Sequence, residues 1–406
     1  MPEAVIVSAV RSPIGRAGKG SLVDIRPDDL AAQMVRAALD KVPSLDPTEI
    51  DDLMLGCGLP GGESGFNMGR VVAVLLGYDH LPGCTVTRYC ASSLQTTRMA
   101  FHAIKAGEGD VFVSAGVETV SRYVKGSSDS WPDTHNSLFA DAEARTVSTA
   151  ESSGGEWHDP RTDGAVPDVY IAMGQTAENL ALSKGVTRQD MDEFGVRSQN
   201  RAEQAIKDGF WAREITPVKL PDGRTVDADD GPRAGVTYEK TATLKPVFRP
   251  DGRVTAGNCC PLNDGAAALV IMSDTKAAAL GLTPLARIVS TGVSGLSPEI
   301  MGLGPVEASK RALAKAGMTI DDIDLVEINE AFAAQVIPSY RDLGIDIDKL
   351  NVNGGAIAVG HPFGMTGARI ATTLINSLQF HDKQFGLETM CVGGGQGMAM
   401  VLERLS

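Results

Sequence analysis

A chain of 406 residues is long enough for two or three domains and a large buried core, which excludes a small stapled fold. Forty-five glycines, 43% hydrophobic and only 5% aromatic residues describe a tightly packed α/β protein, not a disordered or fibrous one. A formal charge of -14 argues against nucleic acid as a partner, because phosphate backbones are gripped through Lys and Arg, and it means that an anionic ligand needs a local basic patch.

The opening "MPEAVIVSAVRSPIGR" has an acid at position three and an Arg after a short apolar run, which reads as a buried first strand and not as a signal peptide. No stretch has enough apolar residues to span a bilayer. An amphipathic helix follows in "PDDLAAQMVRAALDKV", then "DDLMLGCGLPGG", then "CTVTRYCASSLQTTRMAFHAI" and the strand "GDVFVSAGVE". Thr85, Thr87 and Tyr89 favour a strand, whereas Leu94, Phe101 and Ile104 suit one helix face, so Cys90 falls at a helix N-terminus. Ser92 or Ser93 is placed to cap that helix, and its dipole and unpaired N–H groups favour a nearby thiolate. A buried structural cysteine is the commoner fate of any one Cys, and the helix-start position narrows that gap without closing it.

From about Ser121 to Arg249 the text turns polar and is broken by Gly and Pro, as in "SSDSWPDTHNSLFADAEARTVSTAESSGGEWHDPRTDGAVPD". Two helices follow, "QTAENLALSKG" and "TRQDMDEFGVRSQNRAEQAIKDG". Such a loop-rich insertion on a rigid scaffold is a place for ligand contacts.

Beyond it the first order of parts returns: "PVEASKRALAKAG", "DDIDLVEINEAFA", "LNVNGGAIAVGHPFGMTGARIATTLI" and "LETMCVGGGQGMAMVLE". Asp51 to Cys90 is 39 positions and Asp321 to His361 is 40, the mark of an internal duplication. His361, in a turn forced by Gly360 and Pro362, holds the place in the second unit that Cys90 holds in the first. If the units pack about a pseudo-two-fold axis, thiol and imidazole meet as nucleophile and base. Taken alone, His361 reads equally well as a structural histidine in a Gly-rich turn. Asn329 follows the strand "IDLVEI" and is able to hold a water or substrate oxygen, with helix capping as the commoner role. Cys391 ends a strand and opens "VGGGQG", whose backbone N–H groups suit an oxyanion hole.

Neither "GGGQG" nor "GRAGKGS" has P-loop spacing. His80, His102, His135, His158 and His381 lie apart from ligand-spaced partners, so no metal site is expected. Six cysteines without Cys-x-x-Cys pairing read as free thiols in a cytoplasmic protein.

The Cys90 segment, "TAGNCCPLNDGAA", "INEAFAAQ", "NVNGGAIAVGHPFGMTGAR" and "CVGGGQGMAMVLE", in this order and over nearly the whole chain, resemble the thiolase family. The resemblance implies a duplicated five-layer α/β/α/β/α fold with an inserted loop domain. Residues 1–121, completed by 250–272, would form the N-terminal half, 122–249 the insertion that binds CoA, and 273–406 the C-terminal half. It implies acyl transfer between CoA thioesters: thiolysis of a 3-oxoacyl-CoA, the reverse Claisen condensation, or both. No permanently bound cofactor is implied, and a homodimer or homotetramer is.

By motif position Cys90 would carry the acyl group, His361 would activate it, and Cys391 would move the proton of the second half-reaction. One oxyanion hole would use His361 with a water on Asn329, the other the N–H groups of Cys90 and Gly393. Arg233, Leu244, Phe248, Ala256 and Cys260 would contact CoA, with Met173 and Phe332 near the pantetheine and acyl end. Arg233, Lys240, Lys245 and Arg249 would supply the local positive charge. The chain departs from the common family text at three places. Arg88-Tyr89-Cys90-Ala91-Ser92-Ser93 stands for Asn-x-x-Cys-Gly-Ser-Gly, Ala172-Met173-Gly174 for His-Met-Gly, and Cys260-Pro261 for Ser-Gly. Two rivals remain at this stage: a ketoacyl-carrier-protein synthase-like condensing enzyme, disfavoured by the Cys391 loop, and a non-catalytic acyl-CoA or lipid carrier.

Overall fold

The computed structural model describes residues 2–151 and 157–406, so Met1 and the "SSGGE" piece of the polar insertion lie outside the described residues. Strands β1 (Ala4–Arg11), β2 (Gly15–Arg16), β3 (Asp52–Gly56), β4 (Gly83–Val86) and β5 (Val111–Thr119) are interleaved with helices α1 (Pro27–Asp40), α2 (Met68–Leu75) and α3 (Ser92–Ala106). Next come α4 (Ala140–Glu151), α5 (Met173–Ser183), α6 (Arg188–Lys207), the small hairpin β6 (Val218–Lys219) with β7 (Thr225–Val226), and α7 (Tyr238–Thr241). The chain then forms β8 (Asn263–Ser273), α8 (Asp274–Ala279), β9 (Ala286–Gly295), α9 (Gly304–Ala316), β10 (Leu325–Ile328) and α10 (Ala333–Leu343). It ends with α11 (Ala356–Val359), α12 (Thr366–Phe380), β11 (Phe385–Val392) and β12 (Gln396–Arg404).

The duplication read from segment order reappears in the strand pairing. In the first unit β3 is parallel to β4 and β5, β5 is antiparallel to β8, and β8 is antiparallel to β1. In the second, β10 is parallel to β11, β11 antiparallel to β12, and β12 antiparallel to β9. A parallel bridge from Val326 to Leu350 stands where β4 stands in the first unit. Among the described residues the two runs join edge to edge through Val5–Arg287 and Ile6–Ala286.

Strands such as β1, β5 and β8 are buried along their whole length because both faces are covered, and their side chains alternate between two cores. Ala266, Ala268, Val270 and Met272 of β8 face α1 and α2, while Ala267, Leu269 and Ile271 face α3 and α12. In β12, Met398, Met400 and Leu402 join that same central core, and Ala399 and Val401 face α9 and α10. The layers therefore run helix, sheet, helix, sheet, helix, with α3 and α12 in the middle. Those two helices approach backbone to backbone: a Cβ on Gly367 would lie 2.2 Å from the backbone nitrogen of Leu94.

Local readings around the middle layer need correction. The strand ends at Val86, and Tyr89 adopts φ 43 at the start of a 3-10 turn, Tyr89–Ala91, that leads into α3. Ser92 does not cap α3: its Oγ accepts the Arg88 N–H at 2.9 Å and donates to the Tyr89 carbonyl at 2.6 Å. Ser93 Oγ accepts the Ala368 N–H of α12 at 2.9 Å, so it joins the two central helices instead. Cys391 lies one residue inside β11, which continues to Val392.

The close α3–α12 crossing gives a first prediction. Gly367→Ala should cost about 1–3 kcal/mol through overpacking, read as a lowered midpoint in denaturant unfolding; an unchanged midpoint would show that the crossing is loose.

Candidate active site

Cys90 is carried by the 3-10 turn before α3, and His361 by the turn between α11 and α12. The N-termini of the two central helices meet at the Ser93–Ala368 bond, so both turns open at the same end of the middle layer. Cys391 approaches on β11 closely enough that its ionisation is disfavoured by Cys90. Asn329 comes from the loop after β10, and its Nδ2 is 3.2 Å from His361 Nε2. It does not cap a helix, since α10 begins at Ala333 with Phe332 as its N-cap. All four side chains are buried.

Hydrogen-bond bookkeeping fixes the histidine. Thr366 Oγ1 has one proton, and it goes to the Pro362 carbonyl at 2.6 Å. At His361 Nδ1, 2.7 Å away, the hydroxyl must therefore accept, which puts the imidazole proton on Nδ1. Nε2 then presents a lone pair, and Asn329 Nδ2 donates to it. The second Nδ2 proton remains available to a ligand, while Asn329 Oδ1 is buried without a partner among the described residues. The His361 backbone N–H is tied to Asn263 Oδ1 at 2.9 Å, and Gly360 before it has φ 115, where a Cβ would collide with the Asn263 side chain. Only glycine fits there.

Burial, with Arg369 as a second cause, lowers His361 to about 3, so the ring is neutral. Burial pushes the Cys90 thiol up to about 12, against the pull of hydrogen bonds from the N–H groups of Gly393 and of Cys90 itself. Desolvation thus works against the pull of the helix start at Cys90, and the unliganded pair reads as thiol and neutral imidazole. Cys391 is raised further, again chiefly by burial.

The other expected residues gather alongside. Arg233, Leu244 and Ala256 line a cavity of about 120 Å³, together with Arg16, Gln199 and Pro261. Phe248 and Phe332 meet edge to face at 6.1 Å, and Met173 and Cys260 pack with them on the core that contains Cys391. Arg249 does not belong with the exposed Arg233, Lys240 and Lys245. It is buried, donates to Gln175 Oε1 at 2.7 Å and to Asn179 Oδ1 at 2.6 Å, and lines a different cavity, beside Trp157 and Glu299. Arg16, Thr366 and Gln396 were not singled out from sequence. Arg16 sat in the "GRAGKGS" text considered only as a P-loop.

"Thiolase, N-terminal domain" matches residues 4–275 and "Thiolase, C-terminal domain" residues 282–404. The chain belongs to the thiolase family. It is 42% identical over 416 residues to a 3-ketoacyl-CoA thiolase of Bacillus subtilis, covering 99% of this chain and 100% of that protein. It is 41% identical to a beta-ketoadipyl-CoA thiolase of Acinetobacter baylyi, with each chain covered fully. The crystal structure of the Bacillus anthracis acetyl-CoA acetyltransferase superposes with a TM-score of 0.85 at 39% identity, covering 100% of this chain and 99% of that one. Thiolases are acyltransferases that use CoA thioesters. None of the described helices is long and apolar enough to cross a membrane.

Two predictions follow from the histidine. Thr366→Val leaves a buried Nδ1–H without an acceptor, at a cost of about 1–3 kcal/mol. Turnover should fall while Thr366→Ser restores it, and equal turnover in both variants would remove Thr366 from the site. Because the folded-state pKa of His361 lies below its usual 6.5, the unfolded chain binds the extra proton first as pH falls. The imidazole's contribution is intact above pH 6.5 and is lost progressively toward pH 3. His361→Gln should therefore lose less stability than the parent between pH 7 and pH 5 in denaturant titrations, and equal losses would count against a neutral His361.

Proposed function

We propose that this thiolase transfers acyl groups by a ping-pong exchange through Cys90, and that the lone pair on His361 Nε2, beside two buried thiols and Asn329, is the observation that carries the reading. In the condensing direction, Cys90 Sγ attacks the thioester carbonyl of an acyl-CoA and gives its proton to His361 Nε2. The CoA thiolate leaves with that proton, and the acyl group stays on Cys90. Cys391 passes its own proton to the Nε2 that the departing CoA has freed and, as the thiolate, takes an α-proton from acetyl-CoA; the resulting carbanion attacks the acyl carbon, and the released Cys90 thiolate recovers the proton from His361. Thiolysis of a 3-oxoacyl-CoA to acetyl-CoA and a shortened acyl-CoA is the same path reversed.

Once protonated, His361 Nε2 becomes a donor, and with a water on Asn329 it makes one oxyanion hole; the N–H groups of Cys90 and Gly393 make the other. The cavity at Arg233, Leu244 and Ala256 takes the nucleotide end of CoA, and the wall of Phe248, Met173, Phe332 and Cys260 takes the pantetheine and acyl end. The same reading assigns 122–249 to a CoA-binding insertion between halves 1–121 with 250–272 and 273–406. It also assigns the enzyme to the cytoplasm, whose reducing conditions suit six free cysteines. A homodimer or homotetramer is part of it: β4 is an open sheet edge whose four residues are half-buried, with Phe66 and Tyr89 exposed nearby.

The test is labelled acyl transfer with peptide mapping after an acid quench. Acetyl-CoA should label Cys90 in the parent protein, no label should form in Cys90→Ser, and Cys391→Ala should accumulate acyl-enzyme and stall. Label on Cys57, Cys84, Cys259 or Cys260 with none on Cys90 would overturn the assignment.

A further inference from the structure

The Gly393-Gly394-Gly395 tip between β11 and β12 has no side chains of its own to set its conformation, and Gly394 and Gly395 take φ 74 and 83. Yet one of its N–H groups, that of Gly393, is directed at Cys90 sulfur. A chain of polar contacts runs to it from the nucleophile's own turn. Arg88 Nη1 donates to Gln396 Oε1 at 2.7 Å, and Gln396 Nε2 donates to the Gly393 carbonyl at 3.2 Å. Arg88 Nε donates to Gln95 Oε1 on α3 at 3.0 Å, which aims the guanidinium across the gap. An arginine only donates, so it dictates which end of the Gln396 amide faces it and leaves the NH2 end for Gly393. Tyr89 closes the contact: a Cβ on Gly393 would sit 3.3 Å from its ring.

We propose that Arg88 is a positioning residue that, through Gln396, holds the Gly393 N–H on the sulfur of Cys90. Its side-chain acceptors, Gln95 and Gln396, are neutral amides, and it is in no ion pair among the described residues. This inference rests on Cys90 being the acylated residue.

The experiment is a double-mutant cycle on Arg88→Met and Gln396→Leu, with three readouts: single-turnover acylation by acetyl-CoA, the pH dependence of Cys90 alkylation by iodoacetamide, and thermal melting. Misplacing the donor should slow acylation by up to about 100-fold in each single variant. The double variant should be no slower than the worse single, since the clamp acts as one unit. At any one pH the alkylation rate, which follows the thiolate fraction, should fall in Arg88→Met, and Arg88→Lys, which keeps a charge and a donor, should recover part of both losses. Rates that multiply in the double variant, or parent-like acylation with only a lower melting temperature, overturn the clamp. If Arg88→Met does not fold, Gln396→Leu and Arg88→Lys carry the same expectations. Acyl label absent from Cys90 in the parent protein would overturn the functional reading together with this one.

Discussion

Glu118, next to the end of β5, puts a carboxylate in the buried space between the Cys90 and His361 turns and surrounds it with donors. Oε2 accepts the N–H of Gly58 at 2.7 Å and of Gly364 at 2.8 Å; Oε1 accepts the Tyr123 hydroxyl at 2.8 Å and the Leu59 N–H at 3.3 Å. Burial raises its pKa, and these bonds work in the opposite direction. The bonds matter because a buried charge without partners costs several kcal/mol. Gly364 is three residues beyond His361, and the Gly58 carbonyl receives the Thr87 hydroxyl at 2.9 Å, three residues before Cys90. One side chain thus spans from the nucleophile's strand to the histidine's turn. The room for it is made by glycine: a Cβ on Gly364 would lie 2.4 Å from the Val117 carbonyl.

A second buried charge ties the insertion to the same scaffold. Arg11 on β1 pairs with Glu214 at 2.5 Å and with Asp229 through both terminal nitrogens, at 2.7 and 2.9 Å. Trp211 stacks under the guanidinium at 5.2 Å. Asp229 also takes the Ile14 N–H at 2.8 Å, and Asp230 the N–H groups of Arg16 and Ser21. The segment 211–230 is thereby fixed against β1 and β2, which brings Arg16 and Gly231 to the rim of the cavity that also holds Arg233. Removing one member of such a buried group leaves the other uncompensated, so the network enforces one docking position more than it adds stability.

The repeat, the long helices and the two helix-start junctions were legible because each rests on local pattern: apolar periodicity, Gly-Pro turns and the order of segments. What stayed hidden depends on distant backbone. Glu118 in "SAGVETV" looks like any surface acid, since its partners are N–H groups about 60 and 246 residues away. Tyr89 read as strand because "TVTRY" alternates, whereas tertiary contacts with the Gly-rich tip hold it in the left-handed region. Arg249 read as ligand charge because a basic residue in a loop usually faces water, and here α5 buries it. Ser92 and Ser93 had the right residue type for capping, but the 3-10 turn displaced the helix start and gave their hydroxyls other partners.

The burial that closes this site also sets how the chemistry must begin. Moving a proton from Cys90 to His361 in the unliganded enzyme means forming two charges in a place that raises one group to about 12 and lowers the other to about 3. The ion pair is therefore disfavoured at rest, and the thiol is buried as its neutral form. A substrate carbonyl changes the balance. On the proposed mechanism negative charge would then move from sulfur onto an oxygen that faces N–H donors, and the proton would arrive on Nε2, whose lone pair Thr366 leaves exposed by fixing the proton on Nδ1 and which Asn329 Nδ2 contacts at rest. Stabilisation appears only as charge develops on the substrate, which is the condition for speeding a reaction and not merely binding its reactant.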